Sequence, residues 1–478
     1  MKKYLLIISS SSLLLVTACT KDISRFNEQT KSPSSVPPAT LFSNAVRTLT
    51  DGLASSNVNT NVFRLVVQHW ATTTYQDEPN YDFTTRNIPQ AWWARLYRDV
   101  LVDLQEAQRL IPLDATILDE ATKKNQVAIS DIMQVFTYSV LVNTFGNVPY
   151  TEALDANKLF PKYDDAKTIY DDLLRRLDAD IATLNPAGAG FSATADLVYG
   201  GSVAKWTRFA NSLKMKLAMT LADVDAAKAK TAVEQADAGA FQSAADNASF
   251  AYLKTTPNTN PIWVDLIQSN RQDFIAASTL IDKLKALDDP RLSLYFKPND
   301  AGAYVGGKSG SNNTFSDYAK VADKVTAQDF PALLLDYVEI AFYRAEAKER
   351  GFSVAGTAAE HYSNAIKASI LYWGGTNAQA DAYLAQPAVA YATASGNFKE
   401  KIGTQKWIAL QNRGYEAWTE YRRLDYPVLT VPTTAKSGFP NRFTYPTNEQ
   451  TLNNANYTEA ASKMGGDQVE SKLFWDKF

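Results

Sequence analysis

Apolar residues recur at three- and four-residue spacing in one stretch after another of this 478-residue chain, which restricts it to a mainly α architecture. Trp93, Leu96, Tyr97, Val100, Leu104 and Ala107 share one helix face. Ile129, Met133, Phe136 and Val140 share another, which Gly146 ends. Ile169, Leu173, Leu177, Ile181 and Leu184 form a third stripe, Trp206, Phe209, Leu213, Leu217 and Leu221 a fourth, and Phe274, Ala277, Ile281 and Leu284 a fifth. After Pro331 a helix is expected to carry Leu334, Val338, Ala341 and Ala345 and to stop at Gly351. Its neighbour opens on a capping box, Thr357 with Glu360, and runs through Tyr362, Ile366, Ile370 and Trp373 to Gly374-Gly375. Small alanines in the seam between these two resemble a tetratricopeptide-like hairpin. Four such pairs are expected, near 90–145, 160–222, 333–373 and 405–423, with no regular period.

Gly-, Asn-, Pro- and Thr-rich stretches separate the stripes at 72–90, 185–202, 246–270, 296–332 and 374–404. Loops this long inside a compact domain are usually functional, so a binding surface is expected there. Four loop aromatics are the candidates: Tyr75, Tyr81, Trp263 and Tyr304. An aromatic face stacks on the C–H surface of a sugar or on apolar peptide side chains, while neighbouring amides and carboxylates supply hydrogen bonds. At each of the four, anchoring of the loop into the core is the competing structural role. With 45% apolar and 12% aromatic content, most of the 24 Tyr, 22 Phe and 9 Trp are expected to fill a large core.

The start of the chain has the form of an export signal. Lys2 and Lys3 precede an apolar run from Leu5 to Val16, too short to cross a bilayer, and Val16-Thr17-Ala18-Cys19 reads as a lipobox. The expected organisation is a signal peptide at 1–18, a lipidated Cys19 with a flexible, Pro-rich tether at 19–40, and one helical domain at 41–478. Acyl chains such as palmitate on Cys19 would anchor the protein to a membrane without spanning it. No cysteine follows Cys19, so disulfides and Cys-based zinc sites are excluded, and only His69 and His361 offer imidazole. Removing Lys2 and Lys3 moves the formal charge from -3 to -5, since residues 1–18 hold no acid. A mildly acidic chain without basic clusters argues against nucleic acid. No cofactor or metal is expected.

Several segments carry a family resemblance: Tyr138–Ala153 (YSVLVNTFGNVPYTEA), Lys205–Leu221, Asp288–Phe296 (DDPRLSLYF), Gln405–Pro427 (QKWIALQNRGYEAWTEYRRLDYP) and Arg442–Phe478, with Arg442-Phe443-Thr444-Tyr445-Pro446 and a closing Trp475-Asp476-Lys477. In this order they resemble the SusD/RagB-like nutrient-binding outer-membrane lipoproteins, within them the second SusD-like subfamily. One departure is Asn147, where the family commonly has an acid. The resemblance implies a SusD-like fold with helical hairpins as scaffold and a loop-rich ligand face. It also implies capture of an oligosaccharide or peptide at the cell surface, and a role as lid on a SusC-type TonB-dependent outer-membrane barrel. Read physically, the motifs are scaffold: Trp407, Trp418 and Tyr421 keep helical spacing and are expected in the core, and Arg422-Arg423 are expected to fork onto carboxylates or carbonyls inside the fold.

Two other classes compete, an enzyme and a non-binding adaptor. The chain has no Gly-x-Ser-x-Gly elbow and no His-Glu-x-x-His, but its 51 acids leave a carboxylate pair for glycoside hydrolysis open. Gly302 to Ser309 (GAYVGGKS) satisfies the P-loop expression in full. A phosphate cradle needs a strand before it and a helix after it, and both flanks here read as loop, so a Gly-rich loop is expected.

Overall fold

The computed structural model describes residues 36–478; Cys19 and the signal segment lie outside the described residues. The first helix, α1 (Pro38–Ala54), begins with proline inside its first turn, where the missing N–H is harmless, and so takes the last residues assigned to the tether. A second, α2 (Ile88–Ala94), runs through a π-helical turn at Arg95–Leu101 into α3 (Val102–Leu110). Then come α4 (Glu120–Phe145), α5 (Ala166–Thr183), α6 (Val203–Thr220) and α7 (Ala226–Ala236), each packed on its predecessor. After α8 (Ser278–Ala286) the hairpin α9 (Tyr337–Glu349) and α10 (Ala358–Tyr372) is followed by α11 (Asn377–Leu384), α12 (Phe398–Ala409) and α13 (Gly414–Leu424).

Every residue from Ile132 to Pro149 is buried, so α4 is the helix around which the body is assembled. Asp119 caps it, accepting from the N–H groups of Ala121 and Thr122, and Gly146 ends it at φ +87°. Its interior hydroxyls are satisfied locally: Thr137 donates to Met133 O at 2.8 Å and Thr144 to Val140 O at 2.7 Å. The C-terminal motif locks its end. Arg442, fully buried, donates to the terminal carbonyl of Phe145 at 3.0 and 3.1 Å and pairs with Asp467 at 2.6 Å. A guanidinium at a helix C-terminus meets both orphan carbonyls and the negative end of the dipole. Tyr445 donates to Asn147 O and Trp475 to Asn143 Oδ1, closing the same end.

Two expected helix starts are strands. Phe274 lies in β5 (Phe274–Ala276) and Leu334 in β8 (Ala332–Leu335), because each apolar run first pairs with a distant segment and turns helical only afterwards. The capping residue Asp336 marks where α9 starts. The stretch 374–404, expected as loop, contains α11 and the first turns of α12. Its Ala- and Gln-rich sequence has little amphipathic signal, although Thr376 and Gln379 form a capping box that marks the start. Likewise Ala-rich α7 follows its Asp225 cap.

The remaining strands are short and antiparallel: β1 (Trp70–Thr72) with β5, β2 (Val148–Pro149) with β3 (Tyr163–Asp164), β4 (Ala248–Phe250) with β8, and β6 (Phe296–Lys297) with β7 (Lys320–Val321). They staple loops to the body and to each other. One apolar core runs from Phe42 to Ala461, with Phe63 at a crossing of distant segments: its ring meets Tyr415 at 5.1 Å, Trp418 at 4.9 Å and Phe443 at 5.3 Å.

Ion pairs join α6, α9, α12 and α13 inside this body. Lys216 on α6 reaches Glu339 on α9 at 3.3 Å and pairs closely with Glu416 on α13. Arg423 bridges Glu346 and Glu420, at 2.5 and 2.7 Å, and Lys406 on α12 meets Glu420 at 2.7 Å. Arg422 donates instead to the carbonyls of Asn143 and Asn441. Both arginines therefore do what the dipeptide led us to expect. Trp407 and Trp418 are buried, while Tyr421 is half-buried.

Burial alone would raise the carboxyls of Glu346 and Glu420, but Arg423 outweighs it and holds both below the usual range. Their stabilising contribution is complete above about 4.5, the ordinary glutamate value, and is lost as pH falls below it. Arg423→Met should cost about 3 kcal/mol in urea titrations at neutral pH, since it takes from two buried carboxylates their shared guanidinium and leaves each with one cation, Glu346 with Arg350 and Glu420 with Lys406. The same substitution should flatten the acid limb of the stability profile; an unchanged limb would assign that limb to other groups.

Candidate functional site

Three long loops converge on the small sheet of β1 and β5. The segment 72–87 leaves β1, 260–273 leads into β5, and 298–319 lies along its edge, where Gly307 N–H donates to Ala276 O and Gly307 O accepts from Ser278 N–H, both at 2.8 Å. A side chain at Gly306 or Gly307 would collide with Ser278 backbone or with Ile275. Gly306 is therefore required by close backbone approach, while at Gly307 the crowding comes from the side chains of Ile275 and Asn313. The P-loop expression is met by a strand-like edge, and no α-helix opens after it; turns lead to a single 3-10 turn at Phe315–Asp317.

Tyr75 stands at the centre of this face, half-buried against Phe274. Its hydroxyl donates to Asp273 Oδ2 at 3.3 Å and accepts from the Arg271 guanidinium, and Arg86 lies 5.1 Å from the ring centroid. Arg86 is itself held by buried Glu78 at 2.5 Å. Burial, reinforced by Asp273, raises the Tyr75 phenol above its ordinary value, so it stays a neutral hydrogen-bonding group. Phe315 and Tyr318 pack on the patch formed by Ala71, Ile275 and Ala277. An aromatic face, two guanidiniums and a carboxylate are thus gathered on one surface, a set suited to stacking on a ring and bonding its hydroxyls.

The other candidates part ways. Tyr304 is half-buried in the edge loop, beside Val305, whose carbonyl accepts from Ala319. Trp263 is half-buried at the head of a π-helical turn, Trp263–Gln268, that Asp265 fastens to Ser55 and Ser56 at 3.0 Å, with Val264 and Ile267 exposed beside it. Tyr81 is a correction: only 3% exposed, its ring set edge-on to Phe439, it anchors its loop and offers no platform. Sequence reading passed over Arg271, Asp273 and Arg86. A cluster of charged residues immediately before an apolar strand, as in Arg271-Gln272-Asp273-Phe274, is the signal that would have found the first two.

Groups that could do acid–base chemistry lie elsewhere. His69 is fully buried against Trp407 O at 3.0 Å, and burial pushes it down to about 3, so it is neutral. His361 contacts Ala355 O. Asp180, between α4 and α5, is pushed up to about 9 by burial and then by Asp131, whose own charge Arg176 maintains at 2.6 Å. Among the described residues, no three His, Cys, Asp or Glu side chains are grouped to hold a metal ion.

A family model described as SusD-like_2, starch-binding associating with outer membrane, matches residues 30–446. A solved structure described as a chitin-binding protein is 27% identical, with a TM-score of 0.80 over 92% of this chain and 100% of that one. A SusD homologue from Bacteroides uniformis is 28% identical, with a TM-score of 0.79 over 92% and 99%. A chitin-binding SusD homologue from Flavobacterium johnsoniae, 24% identical with a TM-score of 0.78 over 91% and 98%, has the same fold. No curated protein sequence matches significantly.

Tyr81→Ala should lower unfolding free energy by about 3 kcal/mol in denaturant titrations, the cost of emptying a buried aromatic site. A change below about 1 kcal/mol would return Tyr81 to the surface candidates.

Proposed function

This chain belongs to the SusD-like_2 family, described as starch-binding and associating with the outer membrane, and from that membership we propose a nutrient-binding lipoprotein that captures an oligosaccharide on its loop face. The observation that carries the reading is the match over residues 30–446 together with the half-buried Tyr75, ringed by Arg271, Asp273 and Arg86. Sugar is favoured over peptide by the 27% identical structure described as chitin-binding, which aligns with 92% of this chain. Stacking releases water from the flat C–H face of a sugar, while the guanidiniums and Asp273 exchange hydrogen bonds with its hydroxyls. Binding without covalent change is part of the same proposal, in keeping with the family description as starch-binding.

Cys19 supplies the anchor in this proposal. Each acyl methylene buried in lipid contributes about 0.8 kcal/mol, and the following residues act as a tether. The body then works as a lid on a SusC-type TonB-dependent barrel, kept beside it by the lipid and free to swing. Among the described residues no helix is long and apolar enough to cross a membrane, in keeping with an anchor outside them. Surface facing is part of the same proposal.

Isothermal titration of residues 20–478 with chitin and starch oligosaccharides, and with short peptides, should give binding to a sugar and no product by chromatography. Release of shorter sugars would replace the binding protein with a hydrolase, and binding of peptides alone would reverse the substrate class. Tyr75→Ala and Trp263→Ala should each weaken sugar binding by about tenfold, roughly 1.4 kcal/mol, with melting temperature little changed. A large thermal loss in Trp263→Ala would mark that residue as core. Cys19→Ala should abolish uptake in cells while affinity in solution is retained; undiminished uptake contradicts the anchored lid.

A further inference from the structure

Between α8 and α12 runs a groove of about 250 Å³. Thr279 and Lys283, one turn apart, line it from α8, and Glu400, Thr404 and Trp407, at spacings of four and three, share the facing side of α12. Trp407, 1% exposed, forms its floor. The segment after α13 closes one end with Tyr426, Pro427 and Val428. It crosses α12 at Gly403, where a Cβ would lie 3.0 Å from that of Tyr426. This surface is separate from the loop face: Gln68 and Thr279, joined at 2.6 Å, stand at the end of the β1–β5 ladder opposite Tyr75 and Asp273.

The two walls carry opposite charges, Lys283 on α8 and Glu400 on α12, and both side chains are half-buried. Among the described residues neither has an ion-pair partner within 4.0 Å, and they do not reach each other. The lysines flanking Glu400 are committed elsewhere, Lys399 to Asp223 at 3.0 Å and Lys401 to Tyr391 O at 2.9 Å. Any ligand seated in the groove withdraws Lys283 and Glu400 from water together. A neutral ligand compensates neither charge, and a singly charged one leaves the other buried and unpaired. A molecule with a carboxylate and an ammonium compensates both, through a charge-assisted hydrogen bond at each wall.

We infer that this groove is a binding site for a small zwitterion of the α-amino acid type. Its carboxylate accepts from Lys283 Nζ, its ammonium donates to Glu400, and its apolar side chain lies on Trp407 and Pro427. Sites for drug-sized ligands span about 300–1,000 Å³, so this smaller groove suits an amino acid or a dipeptide. Those are the two sources of the same chemistry, a free amino acid or a short peptide with both ends free.

Titration of residues 20–478 with leucine, N-acetylleucine and leucinamide, followed by ligand-detected NMR, removes one charge at a time while the side chain stays constant. Leucine should bind with a Kd on the order of millimolar, and the other two at least about tenfold more weakly. Lys283→Met should bring leucine down to the level of leucinamide, and Glu400→Gln should bring it down to the level of N-acetylleucine. A purely structural role for either residue does not produce that exchange of selectivity. If a variant fails to fold, the three-ligand comparison on the native protein still decides. Equal binding of all three ligands, no binding of leucine or its dipeptide, or undiminished leucine binding in both variants overturns the inference. A leucyl-leucine arm separates the sources: tighter binding than leucine indicates a peptide, weaker binding a free amino acid. Sugar titration reads the loop face, so this inference and the proposed function fail independently.

Discussion

Six carboxylates meet six cations inside the helical body, and the mutual placement of four helices follows from how they pair. Asp223, Asp336, Glu339, Glu346, Glu416 and Glu420 face Lys216, Arg350, Lys399, Lys406, Arg413 and Arg423. A buried charge without its partner costs several kcal/mol, so a helix cannot slide by one turn without leaving one stranded. Apolar residues of equal volume often match such a network in net stability; they lack its directional pairing. Here the direction is set because four links join different helices, α6 to α9 and to α13, α9 to α13, and α12 to α13.

The same frame explains why the family motifs are scaffold residues. Arg442 closes the end of α4 on the Phe145 carbonyl, Trp475 and Tyr170 both donate to Asn143, and Arg291 joins Asp289 to Gln405 with no solvent contact. Each is a polar group placed where a helix end or a buried amide would otherwise be unpaired. Residues of this kind serve the fold. They carry no information about cargo, which depends on loops held at their bases by two-stranded ladders and free to differ at their tips.

A helical body with stapled loops suits the proposed capture role. The β1–β5 ladder and the Gly307 edge bring three loops to one surface, so the aromatic and charged groups around Tyr75 are held together by the fold itself, as the proposed site requires. Preorganisation of this sort lowers the ordering cost of binding. Asp180, whose carboxyl burial and Asp131 raise, is buried in the body beside Asp131, away from this surface.

Local chemistry was legible in the amino-acid sequence: helix stripes, the Thr357–Glu360 box, the stop at Gly146, the buried tryptophans and the inward Arg422-Arg423 all depend on neighbours within a few positions or on side-chain type. Element starts were lost where an apolar run changes partner, as at Phe274 and Leu334, and where alanine leaves no stripe, as in α7 and α11. Exposure belonged to tertiary structure alone. Tyr75 and Tyr81 are both loop tyrosines six positions apart, yet one lies against Arg271 and Asp273 at the surface and the other is sealed by Phe439. The glycines of 302–309 likewise took their meaning from Ala276 and Ser278. Burial of a loop side chain is a property of contacts between segments far apart in the chain, and no helical or strand period encodes it.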